Sequence, residues 1–374
     1  MRRFLARVIV ALPATIGSAA LGHADVLIGL PAPYTGPNAW MGEGIERGAE
    51  MAIADLNAAG GILGQPARLI KVDDYCNGEQ AVAAAHKLVA AGVNVVLGHQ
   101  CSGAAIPASK VYAAASVLML TPNATNPLVT EQGFKNVFRF CGRDDLQGAM
   151  AGAYLAEHWG GKNIAILHDG QAYGEGLAEE VRKALNARGV REAIFEGLTP
   201  GLVDYLDVIE KIQAANIDVV YYGGYSPEAG VLIRGLRDRG DDLQLVSGDG
   251  INSEDFGLTA GEASDGTMFT STLDLRDFPQ ATALVASLRS DHYEPIAPTF
   301  LAYGAVQAWA GAVEEAGTLE LDAVINSLRT NEFETIYGRI GFDEKGDVYG
   351  YQTFAWYVWK GGNYQPVDPQ KPTD

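Results

Sequence analysis

The feature that most constrains this chain is an alternation of short apolar strand, glycine-containing turn and longer amphipathic helix, run through twice. The first round begins at Asp25. Val26 to Leu30 is apolar, Met41, Ile45, Ala49, Ala52, Ile53 and Leu56 then recur at helical spacing, and Gly60-Gly61 ends that helix. Leu69 to Val72, the run around Val95 and Leu118 to Thr121 read as further strands, with helices over 79–91 and 104–115 between them. The second round begins at Lys162, with strands at 164–167, 193–195, 219–222, 243–246 and 268–270 and helices at 177–185, 205–215 and 227–239. Parallel strands need a crossover, and the crossover helices cover both faces of the sheet. The predicted fold is therefore α/β, with two doubly wound parallel-sheet lobes. Three helices come next (279–290, 299–316 and 321–330), then strands at 337–342 and 351–359. Returning the helices to the first unit and the last strand to the second takes the chain across three times, near 141–146, 271–276 and 345–352. The expected lobes are 25–143 plus 273–350 and 144–272 plus 351–374, joined by a three-strand hinge that can close around a ligand.

Residues 1–24 stand apart from this pattern. Arg2, Arg3 and Arg7 precede an apolar run from Val8 to Leu21, and Gly22-His23-Ala24 supplies small residues around a cut after Ala24, the layout of a secretory signal peptide. The alternative, a retained anchor, asks a short run to span a bilayer. Arg2-Arg3 suggests twin-arginine export, but the residues after the pair do not complete that signal. Loss of 1–24 removes three arginines and no acid, taking the formal charge from −19 to −22. So acidic a chain is a poor partner for nucleic acid or anionic lipid. The mature protein is expected to be soluble outside the cytoplasm, with no membrane insertion. In that oxidising setting, Cys76, Cys101 and Cys141 make one pair and one free thiol. Cys76 and Cys101 both follow neighbouring strands at one end of a sheet, which makes them the expected bridge; three reduced cysteines are the alternative. Their spacings match no zinc pattern, and no metal or cofactor is expected.

Ligands in parallel α/β sheets sit beyond the carboxyl ends of the strands. The central stretch is Gly98-His99-Gln100-Cys101-Ser102-Gly103, between the strand at Val95 and the helix from Ala104. Unpaired N–H groups, the Ser102 hydroxyl and the positive helix end suit a carboxylate there, unless Ser102 simply caps the helix. Thr121-Pro122-Asn123-Ala124-Thr125 forms a second such strand end nearby. The other strand-end loops add Tyr173, Tyr225 and Asp249, while Tyr34, Trp40, Met41 and Gln100 add mostly apolar surface. An amino-acid zwitterion fits this list. Its carboxylate would meet Ser102 and Thr125 from one lobe, its ammonium Asp249 and Tyr225 from the other, and its remainder Trp40, Met41 and Tyr173. A turn role for Asp249, surface roles for the tyrosines and a core role for Trp40 remain the competing readings. Catalytic signatures are missing: no Gly-x-Ser-x-Gly elbow, Walker loop or Gly-x-Gly-x-x-Gly follows a strand. The histidines read as structural, Asp144-Asp145 reads as a helix N-cap, and an enzyme is not expected.

Five stretches together match a known family: Asp55-Leu56-Asn57-Ala58-Ala59-Gly60-Gly61-Ile62, Gly98 to Ser102, Thr121 to Thr125, His168-Asp169 through Tyr173-Gly174-Glu175-Gly176, and Tyr221-Tyr222-Gly223-Gly224-Tyr225. Over nearly all of the mature chain, the sequence resembles the leucine/isoleucine/valine-binding proteins of bacterial ABC importers. The resemblance implies a type I periplasmic binding protein fold, a periplasmic location, an ABC permease as partner and a monomer. It implies carboxylate-binding hydroxyls at Ser102 and Thr125, a carbonyl for the ammonium at Asn123, and cleft tyrosines at Tyr173 and Tyr225. It also implies an ammonium-pairing acid at Asp249, usually glutamate in the family, and a Cys76–Cys101 disulfide. With Trp40, Met41, Gln100 and Cys101 these complete the candidate ligand site. Met41 and Gln100 stand where leucine-type members carry tyrosine and leucine, and 298–300 aligns poorly with a side-chain pocket position. A polar Gln100 favours a polar or larger amino acid. Other readings on the same fold are a receptor for an aromatic or short-chain carboxylic acid and an amide-type ligand sensor.

Overall fold

A computed structural model describes residues 25–370; the expected signal peptide lies outside the described residues. The first sheet holds β1 (Val26–Ala32), β2 (Ala67–Asp73), β3 (Val95–Leu97), β4 (Leu118–Thr121) and β5 (Val137–Arg139), all parallel, in the order β2-β1-β3-β4-β5. Helices α1 (Ala39–Ala58), α2 (Gly78–Ala90), α3 (Ser102–Ala115) and the short α4 (Leu128–Glu131) connect them. After α5 (Asp144–Trp159) the second sheet is built from β6 (Ile164–His168), β7 (Ile194–Gly197), β8 (Val219–Gly223), β9 (Gln244–Ser247) and β10 (Met268–Ser271), alternating with α6 (Ala172–Ala187), α7 (Leu206–Ala214), α8 (Ser226–Asp238) and α9 (Glu254–Ala260). Helices α10 (Thr282–Ser290), α11 (Ala297–Ala316) and α12 (Leu321–Thr330) then pack on the first sheet's core. A small antiparallel sheet comes next, β11 (Phe333–Thr335), β12 (Gly338–Phe342) and β13 (Val348–Tyr349). The chain ends in the second sheet with β14 (Ala355–Lys360) and β15 (Asn363–Pro366).

Strand parity divides the apolar residues between layers, because successive side chains of a strand face opposite ways. Val26, Ile28 and Leu30, with Val95, Leu97, Leu118 and Leu120, face α1 and α10–α12. Val96 and Met119 face α2 and α3 in a second layer that continues to Ile164, Ile166 and Tyr221 of the other sheet and Leu177 of α6. Ala165, Leu167, Val220, Tyr222 and Leu245 face α7–α9. Helix α1 reaches α11 through a glycine face. A Cβ on Gly48 would stand 2.0 Å from the Thr299 carbonyl oxygen, so only hydrogen fits there.

Four elements depart from the sequence reading. β5 is not among the expected strands, since only Val137-Phe138 mark it and Arg139 interrupts the apolar run. The strand expected over 351–359 begins only at Ala355, and it pairs antiparallel with β10 and with an unanticipated β15. The second sheet is therefore parallel with an antiparallel edge. The polar stretch 254–260 forms α9, held by Phe256, which is fully buried.

Candidate functional site

Strand-end loops and helix starts from both sheets line one shared cavity. Trp40 and Met41 come from the first turn of α1, Gln100 from the β3–α3 connection, Ser102 from the start of α3, Asn123 and Thr125 from the loop after β4, and Ala297 and Pro298 from the first turn of α11. The second sheet contributes Tyr173 at the start of α6, Tyr225 in the cap position of α8, Asp249, Gly250 and Asn252 after β9, and Ser271 and Thr272 at the end of β10. Five helix N-termini thus border the space, and their dipoles favour an anion.

Every residue expected at the site lines this cavity except Cys101 and Tyr34. Cys101 occupies the cap position of α3 and is bonded to Cys76, with Cα atoms 5.4 Å apart, while Cys141 is free and buried. Tyr34 turns back onto its own strand, its hydroxyl donating to the Leu30 carbonyl at 3.0 Å. Gly250, Asn252, Ser271, Thr272, Ala297 and Pro298 line the cavity without being marked in the sequence. Pro298 belongs to the stretch without a clear counterpart in the family pattern, and the others carry no motif of their own.

Ser102 is the first helical residue of α3, not its cap. Its Oγ accepts a hydrogen bond from the Asn126 backbone N–H at 3.2 Å, tying the two strand-end loops of the first sheet together. Asn126 in turn donates through Nδ2 to the Ala172 carbonyl at 2.7 Å, which joins that loop to the start of α6. The loop itself is held from below by Arg139, which is fully buried. The guanidinium donates to the carbonyls of Ala124, Thr125 and Asn126 at 3.3, 2.9 and 2.8 Å and pairs with Asp347 at 2.5 Å. Arg143 supplies a second cation to Asp347 at 2.6 Å. Sequence reasoning misses Arg139; an arginine embedded in Val137-Phe138-Arg139-Phe140 is its only signal.

On the opposite side, the Tyr173 hydroxyl donates to Asp249 Oδ1 at 2.9 Å and accepts from the Gly250 N–H at 2.9 Å. Burial pushes the Asp249 carboxyl above the usual range. The rings of Tyr173 and Tyr225 lie 5.1 Å apart, and the Tyr225 hydroxyl reaches to 3.9 Å from Cys76 Sγ. Gly250 is required here, because a Cβ would stand 2.1 Å from the Gly224 carbonyl oxygen.

One expectation about a charged group is corrected. Asp144 is the first residue inside α5, with Arg143 as the cap, and its N–H donates to the Thr125 carbonyl at 3.0 Å. Burial, and then the nearby charge of Asp249, pushes the Asp144 carboxyl well above its ordinary range. His99, read as structural, has a buried acid beside it: Asp74 Oδ2 lies 2.6 Å from His99 Nδ1, with the Tyr112 hydroxyl 3.1 Å from Nε2. This trio is fully buried and does not line the cavity. Among the described residues, no group of three or more His, Cys, Asp or Glu could hold a metal ion. No described helix is long and apolar enough to cross a membrane.

Comparison with known proteins agrees with this architecture. The Leu/Ile/Val-binding protein homolog 1 of Brucella suis is 43% identical over 361 residues, covering 96% of this chain and 97% of that protein. A leucine-, isoleucine-, valine-, threonine- and alanine-binding protein of Pseudomonas aeruginosa is 40% identical over 335 residues, covering 89% and 90%. The crystal structure of a leucine-binding protein, LivK, from Thermotoga maritima superposes with a TM-score of 0.85 at 25% identity, covering 92% of this chain and 98% of that one. The fold is that of a type I periplasmic binding protein, and these relatives are named for the amino acids they bind. The profile of the periplasmic binding proteins matches residues 25–363, and the chain belongs to that family.

Proposed function

We propose that the cavity binds a free amino acid, of the branched-chain type or related, and that the protein delivers it from the periplasm to an ABC permease. One observation carries this reading: Asp249, a carboxyl withdrawn from bulk water, shares a small cavity with a helix-start hydroxyl, Ser102, contributed by the other sheet. Ser102 Oγ already accepts from Asn126, which leaves its own hydrogen to donate to a ligand carboxylate. Thr125 and the first turn of α3 complete that subsite. At the other end, the ligand ammonium pairs with Asp249, with the Asn123 carbonyl and Tyr225 as further contacts. A desolvated carboxylate without a cation is costly, and an ammonium relieves that cost, whereas an amine-free acid does not. The lobes 25–143 plus 273–350 and 144–272 plus 351–374 then close on the zwitterion, because each supplies the contacts for one of its charges.

The test is a thermal-shift screen of amino acids against aromatic and short-chain acids. A ligand at one hundred times its Kd stabilises by about 2.7 kcal/mol. Amino acids are expected to raise the melting temperature, and Asp249→Ala to abolish the rise. A shift with amine-free acids alone overturns the reading.

A further inference from the structure

The two charged subsites account for Ser102, Thr125 and Asp249, but not for a second set of polar groups in the same cavity. Gln100 is 1% exposed, and neither its Oε1 nor its Nε2 has a hydrogen-bond partner. The indole N–H of Trp40, another lining residue, is also buried without a partner. Buried amide and indole groups are ordinarily hydrogen-bonded, and leaving them unpaired costs stability. Nearby, Asn123 Nδ2 points to a weak acceptor, Met41 Sδ, at 3.7 Å. Helix α1 and the start of α11 pack closely beside this region, since a Cβ on Gly44 would stand 3.3 Å from Pro298. The sum is a confined space that offers at least one acceptor and two donors, none ionised.

Resting on the reading of the cavity as an amino-acid site, we infer that its occupant carries a short, uncharged side chain that both donates and accepts a hydrogen bond, a hydroxyl or a carboxamide. Such a group satisfies Gln100 in either orientation of its amide, and its oxygen is the kind of acceptor that the Trp40 N–H lacks. A purely aliphatic side chain of the same shape leaves all three polar atoms unpaired. A charged side chain finds no counter-ion among Trp40, Met41, Gln100 and Asn123. Gln100 is then the residue that sets side-chain preference, and it does so by penalising the apolar isostere.

The experiment is isothermal titration of the whole mature chain, freed of bound ligand by unfolding and refolding, with two pairs matched in shape: L-threonine against L-valine, and L-asparagine against L-leucine. In at least one pair the polar member is expected to bind tenfold or more tightly. Gln100→Leu is expected to reverse that order, with circular dichroism and the melting curve confirming that the variant is folded. Valine and leucine binding as tightly as, or more tightly than, their polar counterparts overturns the inference while leaving the amino-acid reading intact. An unchanged order in Gln100→Leu also overturns it. Failure of all four amino acids to bind overturns it as well, and if benzoate or a short-chain acid binds instead, the amino-acid reading falls with it.

Discussion

Replacing Arg139 with methionine removes the group that holds the floor of the cavity, and the structure allows the cost to be worked out. The fully buried guanidinium pairs with Asp347 and donates to three consecutive loop carbonyls. Breaking a buried ion pair from one side costs about 3–5 kcal/mol. Arg143 remains on Asp347, and the Thr125 and Asn126 carbonyls keep the backbone N–H groups of Asp144 and Val129, which argues for the lower part of that range; the buried Ala124 carbonyl and the Thr130 hydroxyl, which lose the guanidinium, argue for the upper part. A loss of about 4 kcal/mol is the balance. Unfolding entropy of about 2.1 cal/mol/K per residue, taken over residues 25–370, is roughly 0.7 kcal/mol/K, so a single cooperative transition should shift down by about 6 °C. Differential scanning calorimetry of the ligand-free protein measures this. The double variant Arg139→Met, Asp347→Leu is expected to melt above the single one, because it removes the carboxylate left short of a partner. A single variant that melts within about 1 °C of the parent, or a double variant no better than the single, refutes the reasoning.

Three further outcomes are expected. Burial raises the Asp249 carboxyl in the empty protein, so that group's contribution to stability is full at acid pH and is lost as pH rises through the raised value. An ammonium needs the ionised form, so amino-acid affinity should increase across the same interval with release of a proton; calorimetry in buffers of different ionisation enthalpy reads both, and a flat or falling affinity contradicts it. Removing the Cys76–Cys101 disulfide, whose cysteines are 25 residues apart, should cost roughly 3.5 kcal/mol in denaturant unfolding by the chain-entropy relation, and a loss below about 1 kcal/mol would count against that relation here. Gly48→Ala places a Cβ 2.0 Å from the Thr299 carbonyl oxygen, a backbone atom with no flexible side chain to yield. It should destabilise by at least about 1–3 kcal/mol despite the better helix propensity of alanine, and an unchanged melting temperature would show that α1 and α11 are not packed this closely.

Much of the site can be read in the chain because strand ends in parallel α/β sheets are marked locally. Gly98 to Ser102 and Thr121 to Thr125 each join a β-branched or apolar run to a helix or loop start, and Tyr173, Tyr225 and Asp249 stand at the same kind of junction. The residues that escape such a reading lack those marks. Arg139 owes its role to carbonyls 13 to 15 residues away and to an aspartate 208 residues on. Asp144 and Asp74 acquire their surroundings from neighbouring loops, so their local sequence suggests a helix cap for one and nothing for the other. Ala297 and Pro298 open a helix from the far end of the chain, and only the packing of α11 on α1 brings them to the cavity.

Period-2 and period-3.6 patterning by itself determined the alternating α/β architecture, since apolar side chains must share one face of a helix or alternate along a strand before they can be buried at all. It also placed the hydroxyls and Asp249 at strand ends. Tertiary structure alone decided which strand ends share a cavity, that Gln100 and Trp40 enter it without partners, and that an arginine rather than solvent satisfies the loop beneath Thr125. Those outcomes depend on contacts between segments far apart in the chain, and no local pattern encodes the distance between two loops that meet only when both sheets are complete.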